Sequence, residues 1–208
     1  MKFAFRTLIF VGLFYAIAPL AYAETSLDEL QQQADRGDMN AQFQLGRKYH
    51  IGDGVERDVE KAVFWYQKAA AQGSAKATNN LGVLYEHGHV APEDEHRSVE
   101  WIMEKSFAYF TDAAKKGQCT AQQNIGATYA YRHEYVQAWA WLTVAATRGS
   151  KWGLIDRGRF ENSMSSDERK QAEKLAKEYL QKYDTKEGRC NEQTIDLSTY
   201  KRKSCSTF

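Results

Sequence analysis

The sequence predicts an all-α fold, an array of stacked helix-turn-helix units, and three observations carry that expectation. Ala41, Leu45, Gly46, Tyr49 and Gly52 recur 36 residues later as Ala77, Leu81, Gly82, Tyr85 and Gly88, and most of the pattern returns after a further 44 as Ala121, Ile125, Gly126 and Tyr129. Each copy is followed by a stretch that ends in Ala-Ala-x-x-Gly: Ala69, Ala70 and Gly73, then Ala113, Ala114 and Gly117, then Ala145, Ala146 and Gly149. Self-similarity at this period marks units that bury their apolar faces only by stacking. Pro19 and Pro92 are the chain's two prolines, so its long runs of Ala, Lys, Glu, Gln and Leu contain no helix breaker.

The elements follow in chain order. Residues 1–23 read as a cleavable secretory signal: Lys2 and Arg6, an apolar run over 8–20, and small residues at Ala21 and Ala23. The mature chain would then begin at Glu24 as a soluble product without stable membrane insertion, and no cysteine near the junction offers itself for lipid attachment. Removing Lys2 and Arg6 from 28 basic residues leaves 26 against 27 acidic ones, a balance that implies neither nucleic acid nor an anionic membrane as partner.

Residues 24–183 are expected to form the repeat domain. Ser26 and Glu29 have capping-box spacing before an initial helix over 27–36. Three repeats follow at about 39–73, 75–117 and 119–149. At 100° per residue Ala41, Leu45 and Tyr49 share one face of a first helix, and Gly46 at its edge lets a partner helix approach closely. Asp58 and Asp94 are placed to cap the second helices of the first two units, and the second unit carries eight extra residues around Trp101 to Phe110. Phe64, Trp65, Tyr66, Trp101, Tyr109, Phe110, Trp139 and Trp141 supply bulk for the seams. A capping region over 150–183 ends in a long helix announced by Ser165 and Glu168, with Ala172, Leu175, Ala176, Tyr179, Leu180 and Tyr183 on one side. Residues 184–208 read as a polar tail.

Export would place Cys119, Cys190 and Cys205 in an oxidising compartment. The expected disulfide joins Cys190 to Cys205 within the tail, leaving Cys119 as a small buried side chain at the start of a helix.

The run Ala41-x3-Leu45-Gly46-x2-Tyr49-x2-Gly52-x-Gly54-Val55-x2-Asp58-x2-Lys61-Ala62-x2-Trp65-x2-Lys68-Ala69-Ala70-x2-Gly73 resembles the Sel1-like repeat, a branch of the tetratricopeptide superfamily. The second unit departs from the pattern at Val90, and the third lacks the Gly-x-Gly-Val-x2-Asp linker, passing directly into His133. The resemblance covers roughly residues 27–183. It implies a right-handed α-α superhelix, a solenoid closed by a C-terminal capping helix, whose first helices line a concave groove. Because exported members of the family are mainly bacterial, it also implies a periplasmic location.

Candidate chemistry is sparse. His87, His89 and His96 with Glu93, Asp94 and Glu95 have metal-ligand composition, but they occupy a linker that faces solvent and are not read as a metal site. In His133-Glu134-Tyr135-Val136-Gln137 a glutamine stands where a zinc-protease helix needs its second histidine. Ser198-Thr199-Tyr200-Lys201 has the Ser-x-x-Lys spacing of penicillin-binding proteins, yet the chain has neither Ser-Asp-Asn nor Lys-Thr-Gly. No cofactor motif is present, and no catalytic residue is assigned.

What remains is a surface. Opposite the Ala41, Leu45 and Tyr49 face lie Asn40, Phe43, Arg47 and His50; the equivalent positions are Lys76, Asn79, Val83 and Glu86, then Thr120 and Gln123. This mixed row suits an extended protein or peptide partner, held through its backbone and a few side chains. The primary expectation is therefore an exported, non-catalytic interaction adaptor or scaffold. The alternatives are an envelope hydrolase acting on cell-wall or β-lactam amides, and an envelope-organising structural protein that binds through its flank.

Overall fold

The computed structural model describes residues 26–90, 98–183 and Cys190. These residues form nine α-helices and one 3-10 turn, with no strand among them. In order the helices are α1 (Leu27–Asp35), α2 (Met39–Ile51), α3 (Val59–Ala71), α4 (Ala75–Glu86), α5 (Val99–Lys115), α6 (Cys119–Tyr131), α7 (Tyr135–Thr147), α8 (Lys151–Phe160) and α9 (Ser166–Tyr183). The solenoid expected from the repeat is the architecture observed.

Local chemistry sets the helix ends. Ser26 and Glu29 close a reciprocal box in which each backbone amide donates to the other's side chain, at 3.1 and 3.2 Å. Asp38, Asp58 and Ser74 accept from the amides of Ala41, Lys61 and Ala77, so each helix start satisfies one otherwise unpaired donor. The glycines after the Ala-Ala pairs, Gly73, Gly117 and Gly149, sit at φ of 99°, 82° and 97°, left-handed conformations that a Cβ would strain.

One expected cap is corrected. Ser98, not Asp94, caps the second helix of the second unit, its Oγ accepting from the Trp101 amide at 3.1 Å. Asp94 itself lies outside the described residues. The longer linker of this unit moves the helix start to the next residue able to cap. Even so, α5 has 17 residues against 13 in α3 and α7, about one extra turn of the unit's insertion.

Glycine determines how closely the hairpins pack. A Cβ at Gly46 would lie 2.7 Å from the Tyr66 ring, at Gly82 2.7 Å from the Phe110 ring, and at Gly126 2.7 Å from Leu142. Each first helix therefore lies directly against a ring or a leucine of its second helix, and the residue before each glycine, Leu45, Leu81 or Ile125, is buried beside it. Seams between units repeat as well. Trp65 packs with Leu30, Ala34, Ala41 and Leu45, and Trp141 packs with Phe110, Ala113, Ala114, Ala121 and Ile125.

A polar contact travels with the repeat. Gln42 donates to the carbonyl of Ala34 at 3.1 Å, and Gln122 donates to that of Ala114 at 3.2 Å, each reaching eight residues back to a carbonyl near the preceding helix end. Each of these carbonyls also accepts from a backbone amide three residues on, Gly37 or Gly117, at 3.0 Å, so the glutamine amide fills a second lone pair and is itself satisfied where it is buried. Gln72 and Arg148, each just before a terminal glycine, donate in turn to the Gln42 and Gln122 oxygens.

The C-terminal end departs from the repeat. By position α8 is a first helix, since Gly149-Ser150 repeats Gly73-Ser74 and Ser150 Oγ accepts from the Gly153 amide at 2.9 Å. Arg157 occupies the place of Leu45, Leu81 and Ile125. Arg157 instead lies over the Trp139 ring and donates to Thr143 Oγ1 at 3.3 Å. The second helix, α9, packs against α7 rather than α8. Its Ala172 and Ala176 join Trp139, Phe160 and Met164 in one cluster, and Trp141 lies tilted against Tyr179 at 4.4 Å and stacked with Tyr183 at 5.4 Å.

The expected cysteine pairing is also corrected: Cys190 bonds to Cys119, not to Cys205, which lies outside the described residues. The Cys190 amide donates to the Arg148 carbonyl at 3.0 Å, which brings the chain beside the start of α6 and leaves the two Cα atoms 5.3 Å apart, within bridging range. Cys119 is thus a small buried side chain, but a bonded one.

Candidate functional site: the outer row of the first helices

The row expected from the sequence divides into a surface and a support. Asn40, Arg47, Lys76 and Glu86 are exposed, and Phe43, Val83, Thr120 and Gln123 are half-buried. His50 and Asn79, expected on the same surface, are instead buried, with exposures of 4% and 3%. Each side chain is turned toward the hairpin interior, out of a partner's reach.

Together these buried groups form a polar chain behind the row. Asn124 Nδ2 donates to Asn79 Oδ1 at 3.1 Å, and Asn80 Nδ2 donates to the Tyr66 hydroxyl at 3.0 Å. That hydroxyl lies 3.4 Å from Nδ1 of His50, while Arg57 Nε donates to the His50 carbonyl at 3.1 Å. Burial, reinforced by Arg57, His89 and His87, lowers the His50 pKa from 6.5 to about 4, so the imidazole is neutral at ordinary pH and can accept the Tyr66 proton. Burial also pushes the Tyr66 phenol well above its usual range. Satisfied networks of this kind fix the relative positions of the helices that carry them. This one spans α2, α3, α4 and α6.

The row continues where sequence reasoning did not follow it. Trp152, Ile155 and Arg159 of α8 occupy the positions of Lys76, Asn79 and Val83, and the two apolar side chains are 60% and 48% exposed. Ser150 Oγ donates to Gln123 Oε1 at 2.8 Å, tying the α6 part of the row to the α8 part. The signal was available in the recurring Gly-Ser pair. It was masked by Arg157, which breaks the apolar pattern of a first helix.

The surface therefore offers, in order along the array, an amide and a half-buried ring with a guanidinium, then an ammonium and a valine, then polar groups, then a tryptophan and an isoleucine. It is suited to backbone hydrogen bonding and to seating a few side chains, and it brings no acid, base and nucleophile together. His87 and His89 stack at 6.0 Å, and His87 Nδ1 lies 2.8 Å from the Val83 carbonyl. No group of three metal-ligating side chains converges among the described residues. Glu93, Asp94, Glu95 and His96, the tetrad Ser198 to Lys201, and residues 1–23 lie outside them. Among the described residues no helix is long and apolar enough to cross a membrane.

Comparison with known proteins supplies the context for this surface. The Sel1 repeat model matches residues 40–74 and 75–102. A Sel1 repeat protein of known structure from Oxalobacter formigenes is 31% identical, with a TM-score of 0.51 over 64% of this chain and 96% of that one. The ERAD-associated E3 ubiquitin-protein ligase component HRD3A of Arabidopsis thaliana is 38% identical over 63 residues, 30% of this chain. The secretory immunoglobulin A-binding protein EsiB of Escherichia coli is 33% identical over 69 residues, 33% of this chain. Both curated relatives are far longer, the chain covering 9% of the first and 14% of the second.

Proposed function

Since the chain belongs to the Sel1 repeat family, whose members generally mediate protein-protein interaction and are generally non-catalytic adaptors or scaffolds, we propose that it is an exported adaptor holding a segment of a partner protein along the row of its first helices. The observation that carries this reading is the division of the row. Its exposed and half-buried members alternate charge, amide and apolar bulk over four helices, while His50, Tyr66, Asn79, Asn80 and Asn124 stiffen the layer behind them. A pre-ordered row lowers the ordering cost of binding an extended segment. The names of two relatives point the same way: one is a component of a ligase assembly and the other binds an immunoglobulin.

Export to the periplasm is supported by two independent features. Residues 1–23 have the layout of a secretory signal, and the Cys119 to Cys190 bridge belongs in an oxidising compartment. Mass spectrometry of the fractionated, alkylated protein tests both at once. A mature chain starting at Glu24 with Cys119 and Cys190 protected from alkylation is expected; an intact Met1 with free thiols overturns the location. For binding, the partner is first trapped by crosslinking in intact cells and identified by mass spectrometry; Arg47→Glu combined with Trp152→Ala should then weaken its capture at least tenfold without shifting the unfolding midpoint. Undiminished capture by that variant places the partner elsewhere.

A further inference from the structure

The two ends of the array are complementary halves of one repeat. By position α1 is a second helix without a first: Glu29, Leu30, Gln33 and Gly37 stand 36 residues before Trp65, Tyr66, Ala69 and Gly73 of the first unit. Trp65 and Ala69 are buried, whereas Glu29 and Gln33 at the same places are exposed, because no first helix covers them among the described residues. The converse holds for α8, a first helix without a second. α9 packs on α7 rather than on α8, and Gly158 meets no heavy atom within 4 Å among the described residues, whereas a Cβ at Gly46, Gly82 or Gly126 would strike the second helix. Leu154 and Ile155, at the places of Gln42 and Phe43, are 55% and 48% exposed, though Gln42 is buried and Phe43 half-buried.

Charge also matches the two ends. α1 carries Asp28, Glu29 and Asp35 and no basic residue, while α8 carries Lys151, Arg157 and Arg159 against Asp156 alone. The register of the internal units says which groups would meet. Trp65 packs with Leu45, and Trp141 with Ile125. At the ends those two places hold Glu29 and Arg157, whose Nε is buried without a hydrogen-bond partner among the described residues. Tyr66 against Gly46 becomes Leu30 against Gly158, and the contact of the Tyr66 and Phe43 rings at 6.0 Å becomes one of Leu30 with Ile155.

We propose that the protein associates with itself head to tail: α1 of one copy seats on α8 of another as the second helix that α8 lacks, with Glu29 toward Arg157 and Leu30 over Gly158 and Ile155. α2 of the first copy then follows α8 of the second, so the row of first helices continues across the joint. Head and tail are different surfaces, so each added copy exposes another of each and the assembly grows with concentration. Helices of nine and ten residues make a small contact, which forms in the micromolar to millimolar range.

Sedimentation equilibrium of the purified, disulfide-intact protein, from about 1 μM to about 1 mM and with no other protein present, tests this. The average mass should rise past that of two copies. Gly158→Glu, which meets open space within one copy, blocks the tail and leaves the head intact. Glu29→Gln with Gln33→Arg keeps the capping box, blocks the head and leaves the tail intact. Each altered form alone should stay a single copy, and an equimolar mixture should form pairs of one of each and nothing larger. Pairing in the mixture itself shows both forms to be folded. An unaltered protein that remains a single copy throughout overturns the proposal. So does assembly that survives in either blocked form, or a mixture that stays unpaired, since both mark a contact between like surfaces. No partner protein enters this readout, so the adaptor reading and this one fail separately.

Discussion

The first hairpin and the C-terminal pair α8 and α9 start from related sequence signals and end differently. In the first, Leu45 and Gly46 on α2 meet Tyr66 on α3, and a glycine and a ring settle the distance between the helices. In the second, Arg157 and Gly158 stand in the same two places, and no second helix closes against them. A glycine permits close approach, but the buried aliphatic residue beside it supplies the burial energy that brings the helices together. Where arginine replaces that residue, Arg157 Nε and the neighbouring Trp139 Nε1 are buried without a hydrogen-bond partner among the described residues. A disulfide then encloses the irregular end, its 71-residue separation running from the start of α6 past the end of α9.

Removing that strap should have the largest effect. Loop closure over 71 residues contributes about 4 kcal/mol, so Cys119→Ala with Cys190→Ala should lower the urea midpoint sharply. An unchanged midpoint would mean that packing alone holds the C-terminal end. Next comes the hairpin interior: Gly82→Val forces a branched side chain against Phe110 and the Tyr109 Cβ and should cost about 3 kcal/mol, measured by the same titration.

A pH effect sharpens the comparison further, because the buried imidazole belongs to the first unit. His50 titrates at about 4 in the fold against 6.5 ordinarily, so on acidification the unfolded chain takes up the proton first. Its stabilising contribution is whole above pH 6.5 and drains away as pH falls toward 4. About 2 kcal/mol should be gone by pH 5, and His50→Asn should flatten that part of the pH profile. Identical profiles for both proteins would place the titrating group elsewhere. The smallest effect has the opposite sign: Gly158→Ala meets open space and replaces a poor helix former, so it should raise stability by up to about 1 kcal/mol.

Much of this architecture was legible because the repeat writes its packing into local sequence. The Ala, Leu, Gly and Tyr spacing located the faces, and the Ala-Ala-x-x-Gly endings located the left-handed stops. What stayed hidden depends on position in space. The partner of Cys190 is decided by where the tail returns, and Cys119 lies 71 residues away. The Gln42 and Gln122 bonds to preceding helix ends are tertiary contacts with no periodic signature of their own. Of the expected site, the exposed part of the row remained a surface. His50 and Asn79 turned inward because one step of helical phase separates solvent from the hairpin interior, a difference that residue type does not reveal when polar networks are buried. Trp152, Ile155 and Arg159 were hidden for the converse reason, their helix carrying a charge at the position used to recognise it.

The central claim, that the first helices carry the binding surface, is tested most directly by site-specific photocrosslinking in intact cells. A crosslinking side chain is placed at Arg47, Lys76 or Thr120 in one set, and at Phe64, Lys68 or Lys105 on the second helices in the other. The same partner should be captured from the first set and not from the second. Capture from the second helices alone would contradict the claim and assign binding to the flank of the array.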